Sequence, residues 1–241
     1  MSSMNIVGKS DKGKLRQINE DAYFIHTNPL IAMVSDGMGG APHGEVASEL
    51  TINIFSAKLL ALKFWDYDKI VELVHETNQE VVLKASQNQA FIGMGATLSA
   101  FISHLNQTFI VNVGDSRVYG FKDRNLTLLT DDHTMMNEIM KHSEEANAKI
   151  DQRYKHMLTS VIGIPTGCAV DVTSINEKYD KILLCSDGLS NLVAETSMIN
   201  VLLSSQSLEE QVAELIKLAN RAGGHDNITV IIIDMRGEVN D

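Results

Sequence analysis

The sequence predicts an α+β fold in which two mainly antiparallel β-sheets pack face to face between outer helices, a four-layer α-β-β-α sandwich. About nine short strand-like runs occur, most of them separated by hairpin-sized turns. Four further blocks have the apolar periodicity of amphipathic helices. Because each helix must bury one apolar stripe and each sheet at least one apolar face, these elements favour stacked layers.

The strand-like runs are short, apolar and bounded by turn residues. AYFI (22–25) is followed by a turn with Pro29 and then by LIAMV (30–34). The other runs are ATLSAFISHL (96–105), TFIVNV (108–113), RVYGF (117–121), LTLLT (126–130), AVDVTSI (169–175), KILLCS (181–186) and ITVIIID (228–234). The short polar segments between these runs, including NEKYD (176–180), predict mostly hairpin connections.

The helical blocks carry apolar residues at steps of three and four. They cover residues 44–62, residues 67–88 and roughly residues 190–204. The last block starts at Ser207-Leu208-Glu209-Glu210, which has the spacing of a capping box, and stops at Gly223-Gly224.

The chain has 3 prolines and no Pro-rich or Ser/Gly-rich tract, which predicts one domain over residues 1–241. Residues 133–156 differ from the rest because they are rich in charge and Met and have weak periodicity. Two roles stay open for this segment: a mobile surface insertion, or a lid (a flap) over a site.

The balance of 20 basic and 31 acidic residues gives a net charge of −11. Such a surface argues against a nucleic acid or an anionic membrane as partner. No run approaches the ~18 apolar residues of a membrane span, and the start of the chain lacks an apolar signal core. We therefore expect a cytoplasmic protein.

Two apolar runs end in the same tripeptide, Ser-Asp-Gly: IAMVSDGMGG (31–40) and ILLCSDGLSN (182–191). Further acids also stand at strand ends, and the full set is Glu20, Asp21, Asp36, Asp115, Asp187 and Asp226. One such Asp is normally a turn residue. If the strands share a sheet edge, however, these carboxylates converge, and converging carboxylates repel one another unless cations or protons hold them.

The chemistry of these side chains selects a class of cation. Oxygen ligands without Cys or suitably spaced His favour hard ions such as Mg²⁺ or Mn²⁺. Two such ions ~3.5–4 Å apart form a clamp suited to phosphoester hydrolysis. The residues therefore predict a two-metal site.

Six segments, in order, resemble the motif set of the metal-dependent type 2C (PPM-type) serine/threonine protein phosphatases. They are RQINEDAYF (16–24), VSDGMGG (34–40), MGATLSAF (94–101), VNVGDSRVY (111–119), LLCSDGLSNLV (183–193) and GGHDNITVIII (223–233). The resemblance runs from about residue 5 to residue 234, and the compact length and Met38 resemble the single-domain bacterial branch. It implies an enzyme that removes phosphate from Ser and Thr side chains of proteins.

The resemblance also implies a set of metal ligands. Asp36 would bridge two Mn²⁺ or Mg²⁺ ions, and the Gly37 carbonyl would complete the shell of one of them. Asp187 and Asp226 match further ligands of the first ion, and Glu20 matches a ligand of the second. In this reading a water that bridges the two ions loses a proton and attacks phosphorus in line.

Three further roles follow from the same resemblance. Asp21 would hold metal-bound water, and Asp115 together with Asp187 matches a weaker third metal site. Arg16 matches the arginine that grips the substrate phosphate, as a guanidinium fork can. Met38 stands where some relatives have a His, so no protein group is assigned as general acid.

The expected partners are phosphorylated proteins, a serine/threonine kinase and its substrates in signal transduction, and the expected state is a monomer. Two other functions stay open. One is a catalytically weak adaptor on the same fold that binds phosphoproteins, and the other is a two-metal hydrolase of small phosphoesters. Hydrolysis of a phosphopeptide with Mn²⁺, compared with hydrolysis of nucleotides, separates the three.

Overall fold

The structure, a computed structural model, describes residues 5–38, 43–105, 107–142 and 151–236. The strands described form two antiparallel five-stranded sheets. The first sheet has, in spatial order, β1 (Asn5–Asp11), β10 (Ile228–Asp234), β9 (Lys181–Cys185), β6 (Arg117–Lys122) and β7 (Asn125–Leu128). The second has β2 (Asp21–Thr27), β3 (Leu30–Asp36), β4 (Leu98–His104), β5 (Gln107–Val113) and β8 (Asp171–Ser174).

The α-helices described are α1 (Gly44–Ala61), α2 (Tyr67–Ser86), α3 (Met135–His142), α4 (Asp187–Ser190), α5 (Glu195–Leu203) and α6 (Leu208–Arg221). Four of them, α1, α2, α5 and α6, pack on the outer faces of the sheets. Short 3₁₀ helices lie at Gln89–Phe91 and Gln152–His156. In the described part of the chain, no helix is both long enough and apolar enough to cross a membrane.

Three apolar clusters hold the layers together. The central cluster joins the two sheets through residues such as Val34 and Phe101 of one sheet and Leu184 and Ile231 of the other. A second cluster packs α1 and α2 against the outer face of the second sheet, and a third packs α5 and α6 against the first. The predicted four-layer α-β-β-α sandwich is confirmed.

The sequence pattern missed one strand. All nine predicted strands are present, but β1 pairs with β10 as an additional edge strand, from Asn5 opposite Asp234 to Asp11 opposite Ile228. Its sequence NIVGKSD has a central Gly8 and polar residues, and it is at best half-buried. An edge strand of this kind lacks the apolar run that identifies a central strand.

The hairpin prediction is confirmed for β2–β3, β4–β5 and β6–β7. In the last of these, Asp123 and Arg124 have φ of 49° and 67°, the pair of positive values that a type I′ turn needs. The connection at residues 176–180, by contrast, does not form a hairpin. β8 pairs with β5, whereas β9 pairs with β6 and β10. This segment carries the chain from one sheet to the other.

The helix predictions agree with the structure in most respects. In α6 the Ser207 hydroxyl accepts from the Glu210 N–H and the Glu210 carboxylate accepts from the Ser207 N–H, a complete capping box. The block predicted near 190–204 is divided between α4 and α5. Of the predicted flap at 133–156, residues 143–150 lie outside the described residues, as do residues 39–40, the last two of the VSDGMGG motif.

Candidate metal centre

The predicted acids meet at one end of the sandwich. Asp21 opens β2 directly opposite Asp36, the last residue of β3. Asp115 lies just beyond β5, Asp187 just beyond β9, and Asp226 just before β10. A cavity of about 350 Å³ opens between them, and its lining includes Arg16, Asp36, Gly37, Asp115, Asp187 and Asp226.

The glycine that follows each Ser-Asp pair is required by close packing. A Cβ atom on Gly37 would lie 2.3 Å from the Gly44 carbonyl oxygen at the start of α1. A Cβ atom on Gly188 would lie 1.9 Å from the Asn227 carbonyl oxygen. Glycine therefore brings a second backbone segment against each carboxylate-bearing turn.

Buried hydroxyl groups fix the backbone at Asp36. The Ser35 hydroxyl donates to the Thr97 carbonyl oxygen (2.6 Å), and the Asp36 N–H donates to the Thr97 hydroxyl oxygen (2.9 Å). The Thr97 hydroxyl is in turn bonded to the Ser116 hydroxyl at 2.8 Å. These bonds hold the end of β3 in one orientation, so the Asp36 side chain is preorganised.

Asp21 is held by the opposite sheet. Its Oδ2 atom accepts hydrogen bonds from the hydroxyls of Ser186 (2.7 Å) and Thr229 (2.6 Å). Its Oδ1 atom is buried and has no hydrogen-bond partner among the described residues. Burial, opposed by these two bonds and reinforced by Asp187 and Asp226, raises the pKa of Asp21 to about 7.

Three carboxylates that line the cavity, those of Asp36, Asp115 and Asp187, also have raised pKa values. Burial raises the pKa of Asp36 well above its ordinary value, and Asp21, Asp187 and other neighbouring carboxylates raise it further. Burial and then the charge of Asp187 raise the pKa of Asp115 to about 8. Burial and Asp226 likewise raise the pKa of Asp187, although a side-chain hydrogen bond with Asp36 opposes this. The cavity thus concentrates negative charge that protons or cations must compensate.

Arg16 supplies positive charge at the edge of the cavity. Its guanidinium donates to Asp226 Oδ2 at 2.8 Å and lies 3.3 Å from Glu20 Oε2. The Glu20 carboxylate also accepts from the Gly44 backbone N–H, and burial raises its pKa. Arg16 and Glu20 therefore lie beside the other acids, as predicted. The guanidinium of Arg16 is bonded to two predicted metal ligands, Glu20 and Asp226.

Among the residues described, no group of three or more His, Cys, Asp or Glu side chains already has the arrangement of a metal cage. Several predicted ligands are engaged in other bonds, including Asp226 with Arg16 and Asp187 with the Asn191 amide at 3.0 Å. The donor set nevertheless fits a hard divalent cation. It consists of oxygen atoms, it carries excess negative charge, and it includes the unpartnered Oδ1 of Asp21.

Sequence reasoning missed several residues that build this centre. Asn227 accepts from the Glu20 N–H (2.8 Å) and donates to the carbonyls of Lys12 (2.9 Å) and Ile18 (3.0 Å). The hydroxyl residues around Asp21 and Asp36 were likewise given no role, although they are adjacent to predicted acids or fall within the quoted motifs. His156 also lines the cavity, and the weak periodicity of its segment gave no signal for it.

The two-sheet sandwich of this chain is also the fold of solved bacterial serine phosphatases. The sequence profile of the family described as "Protein phosphatase 2C" matches residues 12–229 of this chain. The chain belongs to the protein phosphatase 2C family, and it is by that membership a protein serine/threonine phosphatase.

Individual relatives agree with this assignment. The chain is 35% identical over 240 residues to "Serine/threonine phosphatase stp" of Listeria welshimeri, with 94% of each chain covered. The crystal structure of Stp1 from Staphylococcus aureus is similar, with a TM-score of 0.87, 26% identity, and coverage of 97% of this chain and 95% of that one. The catalytic domain of PstP, solved in complex with 2 manganese ions, has a TM-score of 0.80 and 28% identity over 96% of this chain and 97% of that one.

Proposed function

We propose that the carboxylate cavity is a centre for two divalent cations, Mn²⁺ or Mg²⁺, in a phosphatase of phosphoserine and phosphothreonine in proteins. Asp36 would be shared by both ions, with the Gly37 carbonyl, Asp187 and Asp226 on one and Glu20 on the other. The observation that carries this proposal is the crowding of desolvated carboxylates, several with raised pKa, around one cavity. The manganese complex of the similar PstP domain supports it.

When bound, the ions would supply activation of water for attack on phosphorus and compensation for the charge of the phosphoryl oxygens. Asp21 would accept a hydrogen bond from a metal-bound water at Oδ1. This oxygen has no hydrogen-bond partner among the described residues, because Ser186 and Thr229 both donate to Oδ2. Asp115 and Asp187 would hold a weaker third ion, since the negative charge of Asp187 acts on Asp115 and helps to raise its pKa.

Arg16 is proposed to bind the substrate phosphate. Two of its guanidinium nitrogens contact Glu20 and Asp226, and cations on these two carboxylates would compete with the guanidinium for their oxygens. An arginine has five N–H donors in a planar fork, a geometry that matches phosphate oxygens. The same residue can therefore compensate ligand charge and orient the substrate.

Arg16→Ala is expected to raise KM for a phosphothreonine peptide about tenfold or more, because a charge-assisted contact to phosphate is lost. The measurement is steady-state hydrolysis at saturating Mn²⁺, so that altered ligand charge does not limit metal loading. Arg16→Lys is the matched control, and we expect it to recover part of the loss, since it keeps the charge without the fork. An unchanged KM for Arg16→Ala would remove this residue from the substrate site.

Asp115→Ala is expected to lower kcat about a hundredfold, a usual effect of removing one group that supports the transition state. The variant should still bind two Mn²⁺ ions, because the proposed ligands of those ions do not include Asp115. Calorimetric titration with Mn²⁺ counts them. A stoichiometry of one ion would contradict the proposed division between core and third sites.

We also propose that residues 1–241 form one domain, that the enzyme is a cytoplasmic monomer, and that its substrates are produced by a serine/threonine kinase. The experiment that tests the central function compares three substrates with and without Mn²⁺: a phosphothreonine peptide, p-nitrophenyl phosphate and ATP. Mn²⁺-dependent turnover that is fastest on the peptide supports the proposal. Peptide binding without any turnover favours the adaptor, and preference for ATP favours a hydrolase of small phosphoesters.

A further inference from the structure

The connection between β1 and β2 presents basic and apolar side chains beside the cavity. Lys12 and Lys14 are exposed, and Leu15 and Ile18 have 62% and 51% of their surface accessible. We call these four residues the basic strip. Arg16, which lies between them in sequence, is half-buried and reaches the cavity. The basic strip therefore flanks, on both sides in sequence, the residue that is proposed to contact phosphate.

The backbone of the basic strip is fixed to the connection that carries Asp226. The Lys14 N–H donates to the Gly224 carbonyl oxygen at 2.9 Å. The Asn227 side chain donates to the carbonyls of Lys12 and Ile18, at 2.9 and 3.0 Å. These bonds engage the backbone and leave the four side chains directed away from the core, so a partner would meet a preorganised surface.

The charge of the strip contrasts with that of the rest of the chain. The protein has a net charge of −11, and the adjoining cavity is lined by carboxylates. Several other lysines are paired, such as Lys58 with Glu76 and Lys141 with Asp131. In the described ranges, by contrast, neither Lys12 nor Lys14 has an ion-pair partner. Their positive charge remains available to a ligand.

We propose that the basic strip binds acidic residues that flank the phosphorylated residue of a protein substrate, an inference that rests on the proposed phosphatase function. The strip lies next to Arg16, so flanking residues of a peptide whose phosphate reaches the cavity pass over it. The net charge of −11 repels acidic residues overall, whereas Lys12 and Lys14 attract them locally. Leu15 and Ile18 add apolar contact area for the peptide chain.

The test compares two phosphothreonine peptides that differ only in having Glu or Gln at the flanking positions. For each enzyme, the ratio of kcat/KM for the Glu peptide to that for the Gln peptide is measured at low ionic strength. For the unaltered enzyme we expect a ratio of roughly three to ten, as two exposed ion pairs provide. In Lys12→Gln/Lys14→Gln we expect a ratio near one, because the variant lacks both charges.

The control variant Lys63→Gln/Lys84→Gln removes two exposed lysines from α2 and the connection before it, and should keep the original ratio. Anisotropy of the same labelled peptides in EDTA gives the corresponding ratio of affinities without turnover, so absence of hydrolysis would count against the proposed function alone. A ratio of affinities near one for the unaltered protein, or an unchanged ratio in Lys12→Gln/Lys14→Gln, would overturn the inference.

Discussion

Replacing Asp187 by Asn is expected to lower Mn²⁺-dependent kcat/KM by about a thousandfold or more, and Asp226→Asn should do the same. Both side chains line the cavity, and both are proposed ligands of the same ion. Asn has nearly the shape of Asp, so the bond from the Asn191 amide to position 187 can persist. The substitution thus removes charge while the fold remains, and circular dichroism checks that it does.

Asp123→Asn is a matched control for these variants. Asp123 also lies in a connection at the end of a strand, but it is exposed in the β6–β7 turn and its positive φ of 49° is one that Asn tolerates. The activity of the Asp123→Asn variant should equal that of the unaltered enzyme. Near-normal turnover in Asp187→Asn or Asp226→Asn would mean that catalysis takes place elsewhere.

The metal-free protein is expected to become less stable as the pH rises from about 4 to about 8. Asp21 and Asp115 have ordinary pKa values of 3.8 but folded-state values of about 7 and about 8. Between these limits the native state binds more protons than the unfolded state, so the free energy of unfolding falls with increasing pH.

Urea unfolding in EDTA at pH 5 and at pH 8 measures this effect. Added Mn²⁺ should restore stability at pH 8, because a ligand that binds only the folded state stabilises it. Asp36→Asn provides the complementary test, since a neutral amide removes the free-energy cost of charging or protonating this buried carboxylate at pH 8. It should stabilise the metal-free protein at pH 8 and weaken the response to Mn²⁺. Stability that increases from pH 5 to pH 8 would show that the carboxylates are not crowded.

Local signals in the sequence were sufficient for much of the fold. The capping box at Ser207 and the hairpin turn at Asp123 each depend on residues a few positions apart, and both are present as predicted. Pairing between distant segments is different in kind. The edge strand β1 and the crossing between β8 and β9 depend on partners more than 50 residues away, such as β10 for β1, and no local pattern encodes them.

In the candidate site, too, some features could be predicted from local sequence and others depend on distant segments. Acids at strand ends predicted the convergence that the cavity displays, because strand ends at one edge of a sheet must lie together. The bonds that hold those acids come from other segments, such as the Thr229 hydroxyl on Asp21. The ion pairs of Arg16 with Glu20 and Asp226 reflect the charge balance of the whole cavity, which position 16 alone does not reveal.

The side-chain amide of Asn227 bonds to three positions of one connection, Lys12, Ile18 and Glu20, next to the proposed ligand Asp226. An insertion between residues 12 and 20 would separate its acceptors and shift Glu20 together with Arg16. We therefore expect the connection between β1 and β2 to tolerate no insertion without loss of the site geometry. Diversification of target choice here must proceed by exchange of individual side chains on a loop of constant length.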